Sequence, residues 1–273
     1  MIKTQRLMCI FAHPDDETLG VGGIIARYAA QGTEVFLLTA TRGQRGWPWE
    51  DKPYPGAETL GRQRETELRA AARELGIREV TLLDYMDGEL AEADPLEVTR
   101  QAAAHIRRLR PQVVLTFDPH GVYGHPDHIA ICQITTAAVM LAGTPDEHLP
   151  GEPHSVSKLY YLAETQASID EYQALFGEIV MPVDGEERRG KSWEDWAITT
   201  RVDCRAYWQH VWRAAACHQT QLPGIQGLLD LPEAQKQSLW ATQSLYRIFS
   251  LVDPGEGRET DLFAGIGQPE QVA

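Results

Sequence analysis

Cysteine is scarce and scattered: Cys9, Cys132, Cys204 and Cys217 are the four in 273 residues, with no Cys-x-x-Cys pair among them. That excludes a cysteine-built zinc site and offers no disulfide framework, so reduced thiols in a cytosol are expected. Long apolar runs are missing too, none approaching the roughly 18 residues that a membrane-spanning helix requires. The first residues, Met1-Ile2-Lys3-Thr4-Gln5-Arg6, lack a basic region followed by an apolar core and a small-residue cleavage site, and a cytoplasmic protein is expected. Positive charge is in deficit: 25 Lys and Arg stand against 39 Asp and Glu, a net of −14. A nucleic-acid surface needs clustered cations and an anionic membrane repels this balance, so neither is an expected partner. Metal cations meet no such objection. Repeats and low-complexity segments are absent as well.

What the chain does have is an alternation of short apolar runs and helical patterns through its first 160 residues, the mark of successive βαβ units. Leu7-Met8-Cys9-Ile10-Phe11 is continuously apolar, as a strand buried on both faces must be. Further strands are expected at 34–39, 80–83, 113–117 and 158–162, with an edge strand at 197–202 and a last one at 245–252. Helices are expected at 58–76, 95–109 and 204–219, and beyond Gly20 and His125. The stretch 163–194 has weak patterning, with a solvated loop at 184–190, and the tail from Pro254 reads as loose. The aromatic, Pro-rich segment 47–56 reads as an ordered loop, either lining a sugar or acyl pocket or packed on its own aromatics. The fold class expected is α/β: a Rossmann-like, mostly parallel sheet flanked by helices, with a metal site at the carboxyl ends of its strands. We read 1–273 as one domain, a core over 1–165 completed by an elaboration over 166–273 that forms part of the substrate pocket.

Two stretches carry chemistry. Ala12-His13-Pro14-Asp15-Asp16-Glu17 follows the first strand and leads into Gly20-Val21-Gly22-Gly23, and Tyr123-Gly124-His125-Pro126-Asp127-His128 follows the run Val113-Val114-Leu115-Thr116-Phe117. In an open α/β sheet both would emerge at the crevice beyond the strand ends, where ligands bind. His13, Asp16 and His128 are nitrogen and oxygen donors suited to zinc, and three protein ligands leave a position for water, the catalytic rather than the structural pattern. Neighbouring carboxylates cannot easily reach one ion together, so Asp16 is assigned to the metal and Asp15 to the water as general base. The spacing of His125 and His128 puts both imidazoles on one helical face. The plainer reading, a surface turn whose acids favour a helix N-terminus, explains the first stretch alone but not the pair.

These residues identify a resemblance. Ala12-His13-Pro14-Asp15-Asp16-Glu17 with Gly124-His125-Pro126-Asp127-His128, supported by Arg64-Glu65-Thr66-Glu67 and by His218-Gln219-Thr220-Gln221, resembles the LmbE-like, or PIG-L, zinc-dependent deacetylases of N-acetylglucosaminyl compounds. The last match has Thr where the family has Ser. The resemblance implies zinc held by His13, Asp16 and His128, with Asp15 as base. It also implies that His125, oriented by Asp127 and favoured as an imidazolium, assists the oxyanion or leaving amine, with Tyr123 nearby. Arg64 would contact substrate, or else pair with Glu65 or Glu67. Asp87 would accept a sugar hydroxyl or serve a turn, and His218 would reach the site or a subunit contact, or else sit as a cation at a helix C-terminus. The expected substrate is a small N-acetylated amino sugar conjugate, with iron(II) left open as the metal in the cell and homo-oligomerisation undecided. Two rivals stand beside this reading. A metal-dependent phosphoester hydrolase would need a cationic clamp, for which Arg42, Arg45 and Arg64 are the candidates. A nucleotide-binding module would use the 20–23 glycines, whose spacing departs from G-x-G-x-x-G.

Overall fold

The computed structural model describes residues 4–176, 180–183 and 185–267. In chain order its elements are β1 (Arg6–Phe11), α1 (Asp16–Ala30), β2 (Glu34–Thr41), α2 (Ala57–Leu75), β3 (Glu79–Tyr85), α3 (Pro95–Leu109), β4 (Val113–Thr116) and α4 (Gly121–Gly124). There follow α5 (Pro126–Ala142), β5 (Lys158–Leu162), α6 (Gln166–Phe176), β6 (Val180–Val183), β7 (Glu186–Arg189), β8 (Thr200–Asp203), α7 (Trp208–Cys217), α8 (Leu222–Asp230), α9 (Glu233–Leu239) and β9 (Thr242–Ser250).

One seven-stranded sheet runs in the order β3-β2-β1-β4-β5-β9-β8. Its first five strands are parallel, and β9 and β8 are added antiparallel. Strand β1 sits between β2 and β4 and is covered by helices, which is why Leu7 through Phe11 are fully buried and need no polar alternation. Strand order reverses between β1 and β4, so the segments leaving these two strands diverge to open a crevice. Both motif stretches leave from there.

Local chemistry sets the flanking helices. Asp94 accepts from the backbone of Leu96 (2.9 Å) and Glu97 (3.4 Å) ahead of Pro95, an N-cap with proline at the first helical position that starts α3. Gly76 ends α2 in the left-handed region (φ 77°), and a Cβ there would also lie 2.8 Å from that of Ala29. The glycines of α1 serve packing. A Cβ on Gly23 would lie 2.7 Å from that of Cys204, and one on Gly22 3.2 Å from Val211 of α7, so this helix is smooth where α7 crosses it.

Three expectations are corrected. The weakly patterned stretch after Ala163 folds into α6 and the β6–β7 hairpin, so the loop expected over 184–190 contains strand β7. The hairpin docks on α4 and its flank: Arg188 Nη1 donates to Gly124 O (2.8 Å), and Lys191 N to Val122 O (2.9 Å). Asp184 of that expected loop, Met1-Ile2-Lys3 of the N-terminus and the last six residues of the tail lie outside the described residues. The tail from Pro254 is fixed rather than loose. Glu259 enters the sheet end beside Thr200, its buried carboxylate meeting Lys158 Nζ (2.6 Å), Tyr160 OH (2.9 Å), Thr200 Oγ1 (2.9 Å) and Arg247 Nη1 (2.8 Å). Leu262 and Phe263 are buried, and the Leu262 amide donates to Tyr28 OH (2.6 Å). Charge pairing and late apolar anchors supply what the Gly-rich composition hides. Finally, α8 and α9 lie where no helix is expected.

Candidate active site

The β1–α1 junction delivers the first cluster. Asp16 opens α1 with its Oδ2 accepting the backbone amides of Ala12 (3.1 Å) and His13 (2.7 Å), which turns the chain back on itself and leaves Oδ1 facing His128 Nε2 at 3.4 Å. From the β4 side, α5 brings His128, whose ring stacks on Phe117 (centroids 4.0 Å apart, 15°). His13 Nδ1 stands 3.1 Å from His128 Nε2 and 3.7 Å from Asp16 Oδ2. His13, Asp16 and His128 are therefore brought together as a buried His/Asp/His site, although 112 residues separate Asp16 from His128.

His13 is aimed from behind. Its Nε2 faces Asp87 Oδ1 (3.0 Å) and Asp127 Oδ2 (3.2 Å), so that nitrogen carries a proton, and Nδ1 is the nitrogen turned toward His128 and Asp16. Asp127 is itself pinned by the amides of Gly88 (2.7 Å) and Leu90 (3.1 Å), and Asp87 by that of Arg45 (3.0 Å). A His13, Asp87 and Asp127 grouping could in geometry hold an ion too, as could the three rings of His13, His125 and His128. The first has both Asp127 oxygens and Asp87 Oδ2 already committed to amides, and is the kind of carboxylate backing that orients a ligating imidazole. Asp87, Asp127 and Asp16 overcome the burial that disfavours charge on His13 and raise its pKa to about 10. The same field favours a cation at Nδ1, and two ring nitrogens 3.1 Å apart call for a proton or a metal ion between them. The donor set fits a divalent metal.

Asp15 caps nothing: it makes no side-chain bond to the helix start, and its backbone is left-handed (φ 101°), rare for a residue other than glycine. Arg64 clamps it, with Nη2 on Asp15 Oδ2 (3.1 Å) and Pro14 O (2.6 Å) and Nη1 on Gly43 O (2.9 Å). Burial, and the charge of Asp16, push the Asp15 carboxyl up to about 6 against the pull of Arg64. Asp16 moves the other way, to about 2, because His128 and His13 outweigh its burial. Two adjacent carboxylates are thus driven apart in character, as an acid–base pair of roles requires.

His125 and Tyr123 stand half-buried at the rim, the His125 ring 4.8 Å from those of both His13 and His128. The expectation for His125 is corrected. The Asp127 carboxylate serves His13, and what reaches His125 is the Asp127 backbone amide, donating to Nδ1 (3.2 Å). Burial and the neighbouring rings of His13 and His128 lower His125 to about 4, so the neutral ring with a proton on Nε2 is favoured, not the imidazolium. Burial raises the Tyr123 phenol, which stays protonated.

The three expected substrate contacts face inward. Arg64 is buried against Asp15, touching neither Glu65 nor Glu67, and Asp87 backs His13. His218 is fully buried and reaches neither crevice nor surface: its Nε2 meets Glu17 Oε1 at 3.2 Å, and that contact raises its pKa over the opposing effect of burial. Glu17 and Thr18 are buried beside it, and neither is among the expected site residues, although Glu17 lies in the motif itself. The aromatic loop is tied to itself and its surroundings, with Trp49 Nε1 on Thr220 O (2.9 Å), Tyr54 OH on Gln44 O (2.7 Å) and Lys52 over the Trp49 ring. A cavity of about 510 Å³ against Trp47 and Trp49 has none of the site histidines in its lining.

The rivals lose their footing. Arg42 is paired with Glu65 and Asp84, Arg45 with Glu89 and Arg64 with Asp15, leaving no cationic clamp among these candidates. Gly22 and Gly23 are buried against Val211 and Cys204, with no room for a pyrophosphate.

Residues 8–139 match PIG-L, GlcNAc-PI de-N-acetylase. The chain is 36% identical over 294 residues to the 1D-myo-inositol 2-acetamido-2-deoxy-alpha-D-glucopyranoside deacetylase of Rhodococcus jostii (strain RHA1), covering 97% of this chain and 100% of that one. Among solved structures it is similar to the conserved protein TT1542 from Thermus thermophilus (26% identity, TM-score 0.65, 90% and 96% of the two chains). It shares its fold with the N,N'-diacetylchitobiose deacetylase from Pyrococcus horikoshii (20% identity, TM-score 0.66, 90% and 84%). With the motif residues gathered at one crevice and a relative matched over its whole length, the chain belongs to the PIG-L, or LmbE-like, family.

Proposed function

We propose that this chain is a metal-dependent amidohydrolase that removes the acetyl group from an N-acetylglucosamine-type conjugate, with zinc as its metal. The observation that carries the reading is the convergence of His13 Nδ1, Asp16 and His128 Nε2 beside a half-buried Asp15. His13, Asp16 and His128 would hold the ion. When bound, zinc supplies an acidified water and polarises the acetamide carbonyl.

The protein's own residues do the rest. Asp15, fixed by Arg64, takes the proton of the attacking water and is placed to return it to the departing amine. His125 offers Nε2–H to the developing oxyanion, its tautomer set by the Asp127 amide at Nδ1, and Tyr123 adds a protonated phenol at the same rim. Asp87 and Asp127 keep His13 turned toward the ion. Amine and acetate are the products. The Rhodococcus relative, named for a GlcNAc–inositol conjugate, makes that compound the first substrate to test. Zinc-loaded protein incubated with a panel of GlcNAc conjugates should release acetate stoichiometric with free amine; phosphate release without acetate from the corresponding phosphoesters would overturn the reading.

A further inference from the structure

Asp15 holds a backbone conformation that a side chain disfavours, and such a residue persists only where its surroundings over-determine it. Arg64 grips its carboxylate and the preceding carbonyl. The amide is gripped separately: Glu17 Oε2 accepts from Asp15 N at 3.0 Å. Glu17 is fully buried, and its other oxygen, Oε1, meets the Thr18 hydroxyl and His218 Nε2. A carboxylate at such depth requires a partner, and His218 is the titratable one in contact with it.

His218 is in turn held by the turn it begins. Its amide bonds Ala215 O at the end of α7, while Thr220 binds Glu67 of α2 through both its amide (2.9 Å) and its hydroxyl (2.7 Å). Gln221 Nε2 adds a bond to Gly46 O (2.8 Å), in the loop where Gly43 receives Arg64. The His218–Gln221 turn thus joins α7, α2 and the loop after β2 behind the Asp15 backbone.

We propose that Glu17 and His218 are positioning residues for the proton-accepting carboxylate: a buried couple that sets the Asp15 backbone, so that the C-terminal third of the chain completes the catalytic geometry. This rests on the deacetylase reading and on Asp15 as base.

The test compares His218→Gln with His218→Asn. Gln brings an amide N–H to where Nε2 stands, whereas Asn stops at Nδ1, an atom with no hydrogen-bond partner among the described residues. Small displacements of a reacting group cost up to about 10²-fold in rate, so His218→Asn should lose at least about tenfold in kcat with KM within about twofold, and His218→Gln should stay within about threefold of the parent. Metal content per chain should be unchanged in both. In an Asp15→Asn background, His218→Asn should add less than about twofold, because the two act through one group. Equal kcat in the two variants, or a full further loss in the Asp15→Asn background, overturns the proposal. If His218→Asn does not fold, Glu17→Gln decides: at least about a tenfold loss of kcat at full metal content supports the couple, and parental kcat overturns it. Near-parental acetate release by Asp15→Asn itself would sink the reading of Asp15 instead.

Discussion

At Asp15 the chain accepts a left-handed backbone, a strain worth roughly 1–3 kcal/mol, and its carboxylate meets Arg64 instead of capping its own helix. The proposed base Asp15 and the proposed ligand Asp16 are neighbours, and substitutions should separate them. Asp15→Ala should keep its metal and lose about 10²–10⁴ in turnover, the usual worth of a positioned base. Asp16→Ala and His128→Ala should lose metal, read by elemental analysis after gel filtration; full metal content in either would remove that residue from the ligand set. Residue types and spacing made this candidate site legible, because a His and two acids directly after a buried strand can be read from a few adjacent positions. The partners of Arg64, Asp87 and His218 were not legible. Arg64 and Asp15 are 49 residues apart, His218 and Glu17 201, and no local pattern records which buried charge will meet which.

Among the elements, α1 shows how packing decides what a glycine means. In the sequence Gly20-Val21-Gly22-Gly23 is the run a nucleotide-binding module would have to use, with a spacing that departs from G-x-G-x-x-G; in the fold its last two glycines give Cys204 and Val211 close approach. Gly23→Ala should therefore destabilise by about 1–3 kcal/mol in urea denaturation, the range for overpacking a filled interior. Nucleotide protection of the parent chain against the same denaturant would restore the rejected reading. Strands β1, β2, β4 and β5 and helix α3 were readable because burial on both faces and an Asp94-Pro95 cap leave strong local marks. The β6–β7 hairpin was harder to read: its second strand, Glu-Glu-Arg-Arg, has no apolar alternation, and docking on α4 fixes it.

For the whole molecule, Glu259 joins the tail to the sheet. Burial would raise its carboxyl, but hydrogen bonds from Lys158, Tyr160 and Thr200 and the charge of Lys158 hold it below the ordinary carboxylate range. Its folded pKa is depressed, so its contribution is complete above about pH 5 and is lost as pH falls through the folded value. Glu259→Gln should cost about 3–5 kcal/mol near neutral pH, the effect of leaving buried cations unpaired. Denaturation midpoints of the parent and variant should converge in acid; a gap independent of pH would refute the coupling.

The sequence by itself determined the parallel core, the crevice between β1 and β4, and the residue types of the candidate metal site. Each follows from short-range regularities: apolar runs, caps, and donors placed at strand ends. Only the tertiary structure decided that Asp127 serves His13 rather than His125, that Arg64 and His218 face inward, and that the tail is anchored. Those outcomes depend on which buried polar atoms find partners across the fold, and burying an unpaired polar group is costly enough to fix the choice once the chain is packed.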